Sequence, residues 1–254
     1  MNTTTIRGIG LGILGTASVV AVWALIVELG LVSSASLPSP FSVAASLPVL
    51  LSDPNFYRSL ADTLGAWLAA MVFASVSSIV LGMIIGTVRF LSAPAMVAVN
   101  ALRSIPSSAL IPIAILIFGL GSAMKIAVAV YAVFAIVLIN TIYGVAGREP
   151  MRVDAARSMR WTWWQQYLHL TLPSATPSIV TGIRLASGIS LVVVISTELL
   201  GARSGIGITI VQYQQALRVE MAYAAITMVG VVGVILYSVL AAVERATIDR
   251  IRLG

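Results

Sequence analysis

Long apolar runs separated by brief polar punctuation dominate the chain, and their length is the first structural signal. About 20 consecutive apolar residues let a helix cross the hydrocarbon core of a bilayer. Six stretches qualify: about 8–32, 63–88, 94–118, 124–146, 176–200 and 222–243. The pattern therefore predicts an all-α polytopic membrane protein with about six transmembrane helices, forming one domain over residues 1–254. The run after Arg7 has the length of a full span rather than of a cleaved leader. Residues 33–62 are too rich in Pro and Ser for a lipid-facing span and predict a loop with a short interfacial helix. Pro106 lacks a backbone donor and predicts a kink in the third span. Gly82 with Gly86, and Gly8 with Gly12, have the spacing that brings helices close together.

Composition agrees with this picture. The chain is 59% hydrophobic and 9% charged, with a mean hydropathy of +1.03. So little polar surface cannot coat a soluble globule, and lipid must cover the rest. Cysteine is absent, which excludes disulfides and thiolate metal sites, and the lone His169 makes no transition-metal site. No metal site and no catalytic residue are expected. A hydrolase would need a nucleophile beside a base, and His169 has no Ser motif near it. A phosphate-gripping loop needs Gly-Lys-Ser/Thr, whereas the only lysine, Lys125, stands in GLGSAMKIA. The chain is thus not an ATP-hydrolysing enzyme of that type.

The net charge of +6 is a topology signal in such a chain, not a sign of nucleic-acid binding. With a cytoplasmic N-terminus, the inside holds Arg7, Arg89, Arg148, Arg152, Arg157, Arg160, Arg245, Arg250 and Arg252. The outside then holds Arg58, Lys125, Arg203 and Arg218. The inside excess places both termini in the cytoplasm and residues 33–62 outside. Arg103 and Arg184 fall near or within spans.

The longest polar interval, about residues 148–173, is then cytoplasmic. Pro150 suits a helix start, Asp154 lies near the positive end, and VDAARSM favours helix. Trp161, Trp163, Trp164 and Tyr167 follow before Leu172-Pro173, which is expected to end the segment and launch the next span. From the residues alone, the interval fits either a surface docked into a soluble partner or an interfacial linker with an aromatic belt.

The same interval resembles the cytoplasmic signature of permease subunits of binding-protein-dependent ABC importers. That signature runs Glu-Ala-Ala, three residues, Gly, nine residues, Ile, any residue, Leu-Pro. Asp154-Ala155-Ala156 stands at its start, Arg160 at the Gly position, and Leu170-Thr171-Leu172-Pro173 at its end. Asp for Glu is mild. Arg for Gly is not, because Gly permits a turn after the short helix, so Arg160 is either helical or bends the chain at steric cost. LPSP at 37–40, LRSIPSSALIPIAILIFGLG at 102–121 and TELLGARSGIGITI at 197–210 extend the resemblance, which is to the aliphatic sulfonate, taurine and nitrate branch.

This resemblance implies a type I importer permease fold, with a peripheral first helix (about 8–32) and core helices over about 63–243. It implies a coupling segment in which Asp154, Ala155, Ala156, Ser158, Arg160, Trp161, Leu172 and Pro173 meet an ATPase. The implied partners are two ATPase subunits, a second permease copy or a paralogue with a homodimer favoured, and an extracytoplasmic substrate-binding protein. ATP and Mg2+ would belong to the ATPase, with no cofactor in this chain, and the site of action would be a prokaryotic inner membrane. The implied cargo is a small anion such as a sulfonate, taurine or nitrate. A thiamine or pyrimidine precursor, or an aromatic carboxylate, is the alternative.

Ionisable residues inside a bilayer are costly and mark either bundle-holding pairs or a pathway. Arg103, Pro106, Arg184 and Glu198, with Gly205 and Gly207 after it, are the candidates for pathway or gate. Three glycines in GARSGIG allow an irregular loop beside Glu198. A secondary transporter is the rival class, and it would usually show repeats with matching broken spans. No internal repeat stands out.

Overall fold

The computed structural model describes the backbone of residues 3–253, while the side chains of residues 1–10, 13, 89 and 251–253 lie outside the described ones. Arg7, Arg89, Arg252 and Gly8, used above, fall among the latter. Among the described residues every regular element is helical. Chain contacts gather the protein into two units, Met1–Arg58 with Thr209–Val229, and Ser59–Ile208 with Gly230–Gly254.

The first unit holds α1 (Thr3–Glu28), α2 (Pro40–Leu51) and the first turn of α3 (Pro54–Thr87). It also takes most of α10 (Ile206–Gln215) and the start of α11 (Val219–Leu253). The LPSP stretch explains how α2 begins: Ser39 caps the helix by accepting the Ser42 N–H at 3.1 Å, and Pro40 follows at the first helical position. The Trp23 indole donates to Pro38 O at 3.0 Å, and the Tyr223 hydroxyl donates to Ser36 O at 3.1 Å. The loop expected over 33–62 thus contains its short helix, although α3 begins well before residue 63.

The second unit adds α4 (Arg89–Arg103), a 3-10 turn at Ser107–Leu110, α5 (Ile111–Phe118) and α6 (Ser122–Ala146). Then come α7 (Pro150–Ser158), α8 (Trp163–Gln166), a π turn at Tyr167–Thr171 and α9 (Leu172–Gly201). Four helical stretches are long and apolar enough to cross a membrane: Pro54–Thr87, Ser122–Ala146, Trp163–Gly201 and Val219–Arg250. Phe90–Arg103 with Ser107–Phe118 makes a fifth, bent by 73°. The expected third span is therefore a broken one. Its break falls at Ile105-Pro106, where the ring removes a hydrogen bond and the backbone turns extended, with ψ 128° at Pro106. Within α1 the described apolar helix is the shorter Leu14–Glu28.

Two local expectations need correction. Leu172-Pro173 does not end the segment, because Trp163–Gly201 runs on as one helical stretch. In the π turn the Leu172 N–H reaches back to Tyr167 O, and this wide turn absorbs the donor that Pro173 lacks. Lys125, counted among the outer charges, is not exposed there: it is fully buried at the start of α6 with its ammonium on Glu198.

The core of this unit is the packing of α3, α6 and α9. Met71 and Ala74 meet Val133, Val137 and Ala186, while Met83 meets Val145, Ala175 and Ile179. Helices approach this closely because small residues face large ones. A Cβ at Gly82 would lie 2.6 Å from Thr141 Cβ, one at Gly86 2.7 Å from Val145 Cβ, and one at Gly182 2.8 Å from Asn140 Cβ. Two interhelical hydrogen bonds add register, from Trp67 Nε1 to Ser187 O at 2.9 Å and from Ser78 Oγ to Phe134 O at 2.8 Å. Gly82→Val is expected to lower the thermal midpoint of the purified protein in detergent by the overpacking penalty of about 1–3 kcal/mol. Gly65→Ala, where nothing lies within 4 Å, should hold or raise it.

Candidate functional site

The residues singled out from the sequence gather at three places in the second unit. The first is the polar interval. α7 starts at Pro150 as expected, with Ala156 buried at 4% exposure and Asp154, Ala155 and Ser158 outward. Asp154 pairs with Arg157 at 3.7 Å on the surface, a contact worth little in stability. Arg160 has φ 54°, so the alternative left open by the sequence resolves in favour of the bend. The Arg160 N–H donates to Arg157 O at 2.9 Å and the Trp161 N–H to Ala156 O at 3.0 Å, the paired bonds of a Schellman cap. Arginine thus adopts the left-handed conformation that the signature assigns to glycine.

Beyond the cap, Thr162 and Gln165 exchange hydrogen bonds in a capping box, and Trp163 stacks on Tyr167 at 5.4 Å between centroids. Trp161 meets His169 edge to face at 6.0 Å. Leu172 and Pro173 do not join α7. They open α9, where Leu172 packs on the cluster of Met83, Val145, Ala175 and Ile179. Arg148 is the residue that sequence reasoning passed over as a mere topology marker. Its Nε donates to Val145 O at 2.7 Å and its Nη1 to Thr171 Oγ1 at 2.8 Å, clamping the end of α6 to the π turn before α9. Burial, then the like charge of Arg157, pulls its pKa below the ordinary guanidinium value, yet a guanidinium stays protonated at neutral pH.

The second place lies at the far ends of α6 and α9. Glu198, fully buried, takes Lys125 Nζ at 2.9 Å and the Gly207 N–H at 3.0 Å. Thr63 Oγ1 lies 2.9 Å from both of its oxygens. Lys125 also donates to Ser204 O at 3.2 Å, and Thr63 Oγ1 accepts the Ile206 N–H at 2.9 Å. The Arg203 N–H donates to Leu120 O at 3.1 Å. The glycines of GARSGIG therefore make room for a carboxylate. Gly205 has φ 113° and a Cβ there would run into the Glu198 carboxylate, while one at Gly207 would lie 2.5 Å from Glu198 Cβ. Sequence reasoning found Glu198, Gly205 and Gly207 but missed Thr63 and misplaced Lys125.

The third place is the elbow between α4 and α5. Two adjoining cavities of about 430 and 710 Å³ share Arg103, Ala132, Ala135 and Ile189. Pro106 lines the smaller, and Asn140, Arg184 and Tyr237 line the larger. Arg184 Nη1 meets Glu244 Oε2 at 2.7 Å, and its guanidinium carbon lies 5.6 Å from the Tyr237 ring centroid. The other Glu244 oxygen takes the Thr181 hydroxyl. Glu244, at the end of the sixth expected span, was not singled out. Tyr131 OH donates to Leu102 O at 2.6 Å, fixing the elbow to α6.

A bundle of apolar spans, one of them broken, with a capped polar helix between two spans has the features of a transport permease. A family model described as binding-protein-dependent transport system inner membrane component matches residues 78–249, and the chain belongs to this family. It is the permease subunit of an ABC importer. The putative aliphatic sulfonates transport permease protein of Bacillus subtilis is 29% identical over 92% of this chain and 85% of the relative. The taurine transport system permease protein of Escherichia coli is 28% identical over 94% and 89%. The Escherichia coli putative aliphatic sulfonates permease is 30% identical over 85% and 82%. Among solved structures, an inward-facing MetNI methionine ABC transporter chain aligns at a TM-score of 0.67 and 19% identity, covering 76% of this chain and 96% of that one. A chain of a bacterial alginate ABC transporter crystallised with its pentasaccharide-bound periplasmic protein aligns at 0.62 and 17%, covering 94% and 96%. Both confirm the type I permease fold.

Two stability measurements test this geometry. Glu198→Gln leaves a buried ammonium uncompensated and should cost about 3–5 kcal/mol, whereas the double change Lys125→Met with Glu198→Met should recover most of that loss. Additive losses in the double variant would show that the pair is not coupled. Arg160→Gly should raise the thermal midpoint, by the roughly 1 kcal/mol that a left-handed non-glycine residue costs. An unchanged or lower midpoint would mean that the arginine is not strained there.

Proposed function

We propose that this permease subunit carries a small anion, an alkanesulfonate, taurine or nitrate, across a prokaryotic inner membrane, driven by a partner's ATP hydrolysis. An extracytoplasmic binding protein delivers the cargo, and two ATPase subunits with their ATP and Mg2+ sit below a pair of these permeases, a homodimer being favoured. Both termini lie in the cytoplasm. The relatives named for sulfonate and taurine support the cargo class, and the excess of arginine on the α7 side supports the orientation.

One observation carries the coupling role. α7 presents Asp154, Ala155 and Ser158 outward with Ala156 buried, while Arg148, just before it, ties the end of α6 to Thr171 ahead of α9. A force applied to the exposed face by a moving ATPase then enters the two central helices. Arg160 and Trp161 set the angle at which the face is offered, and Leu172 and Pro173 receive the motion at the start of α9. At the other end, Glu198, Gly205 and Gly207 hold the loop that closes the outer side of the path, which runs past Arg103, Pro106 and Arg184. Closure of the ATPase pair drives the change from inward-facing to outward-facing.

Affinity purification of the tagged protein from its own membrane in mild detergent, with mass spectrometry, should recover a stoichiometric ATPase. Ala155→Trp and Asp154→Arg should weaken that association about tenfold or more with insertion and thermal midpoint unchanged. Ala156→Trp should instead disrupt folding. Wild-type association and uptake in the first two variants would remove α7 from the ATPase interface.

A further inference from the structure

The cavity at the α4–α5 elbow has features that bundle-holding alone does not explain. Irregular backbone at membrane depth persists only where protein buries it or a water-filled cavity meets it, and Ile105, Pro106 and Ser107 line the smaller cavity, which shares Arg103 with the larger. The larger, about 710 Å³, falls within the roughly 300–1,000 Å³ usual for ligand pockets. Its only charged linings are Arg103 and Arg184, joined by the Asn140 amide and the Tyr237 ring among apolar walls.

The charge balance there is open. Glu244 spends one oxygen on Arg184 Nη1 and the other on Thr181. Arg184 Nε is buried without a hydrogen-bond partner. Arg103 has no carboxylate within 4.0 Å among the described residues. Arg103, exposed and without a carboxylate partner, lines an apolar pocket with a second guanidinium, and this pairing is matched by a planar or tetrahedral oxyanion, which accepts several charge-assisted hydrogen bonds at once.

We propose that Arg103, Asn140, Arg184 and Tyr237 form an oxyanion subsite inside the permease, a station for the anionic headgroup of the cargo. This rests on the importer reading above and deepens it, placing part of the selection for negative charge in the permease as well as in the binding protein. Arg103 supplies the net charge. Arg184, held by Glu244 and by the Tyr237 face, adds a second, positioned guanidinium to the lining. The pairing with Glu244 lowers the field, so the station is weak enough to release what it holds.

The test needs neither ATPase nor binding protein. The full-length permease in phosphatidylcholine nanodiscs is titrated with trifluoromethanesulfonate, and 19F line broadening reports binding, with trifluoroethanol as the neutral control. Saturable broadening by the sulfonate alone is expected. Arg103→Gln, whose side chain has no acidic partner to lose, should weaken it about tenfold or more while Arg103→Lys keeps most of it. Unchanged thermal midpoints exclude misfolding. Binding that survives Arg103→Gln, or equal broadening by the alcohol, would overturn the subsite. Phosphatidylglycerol in the nanodisc should leave the titration unmoved. If it competes, the anion is a lipid phosphate and the cargo station is overturned. Failure of this titration while the ATPase still copurifies would sink the subsite alone. Success without a copurifying ATPase would sink the importer assembly alone.

Discussion

The buried contact between Lys125 and Glu198 is the constraint on which the rest of the bundle depends. Two opposite charges with no solvent access can stay in an apolar environment only if every donor and acceptor they carry is answered. The chain works toward that demand by drawing Thr63 from α3, the Ser204 carbonyl and the Gly207 amide onto the same pair. This fixes where α6 begins relative to where α9 ends. It also dictates GARSGIG, because a loop that donates backbone amides to a carboxylate lying against it has no room for side chains at Gly205 and Gly207. What reads in sequence as a flexible glycine-rich loop is a loop held shut by a charge pair.

The opposite ends of the same two helices are tied as well. Arg148, just past α6, binds Thr171, just before α9. Between the two ties, Gly144 lies against Ala175 and Gly182 against Asn140. α6 and α9 therefore form a two-helix lever, latched at both ends and close-packed along its length. α7 hangs from one latch, and the glycine loop closes over the other. Such a lever transmits displacement by moving whole, since packed interfaces shift between discrete arrangements rather than stretch. The elbow at Ser104–Pro106, where the expected third span bends by 73°, interrupts the neighbouring stretch.

Legibility in the sequence followed the range of the interaction. Local features were readable: the apolar runs became helices, Pro150 opened α7, Pro106 broke a span, and the signature's spacing put Arg160 where the chain turns left-handed. Span ends were less so. Arg58, Asp62 and Glu244 depress hydropathy without interrupting a helix, so α3 and α11 run past the limits drawn from apolarity alone. Leu172-Pro173 misled because a π turn can absorb a missing donor. The buried pairs were hidden for a deeper reason. Lys125 and Glu198 are 73 residues apart and Thr181 and Glu244 are 63 apart, and nothing local to either partner announces the other. A lysine next to a glycine turn looks external until the helix geometry folds it inward.

The two charge clusters also differ in completeness, and that difference sorts their roles. At Glu198, the carboxylate and the ammonium are both engaged by protein groups and fully buried. That arrangement suits a latch. At the elbow, Glu244 cancels Arg184 but leaves its Nε unanswered, and Arg103 stands uncancelled beside it. Protein groups alone leave this second cluster with net positive charge, and both guanidinium groups line a cavity. A conduit must attract its cargo enough to admit it and hold it loosely enough to let it go. One net positive charge, diluted by a neighbouring ion pair, meets both demands for a monovalent anion, whereas two bare guanidinium groups would retain it.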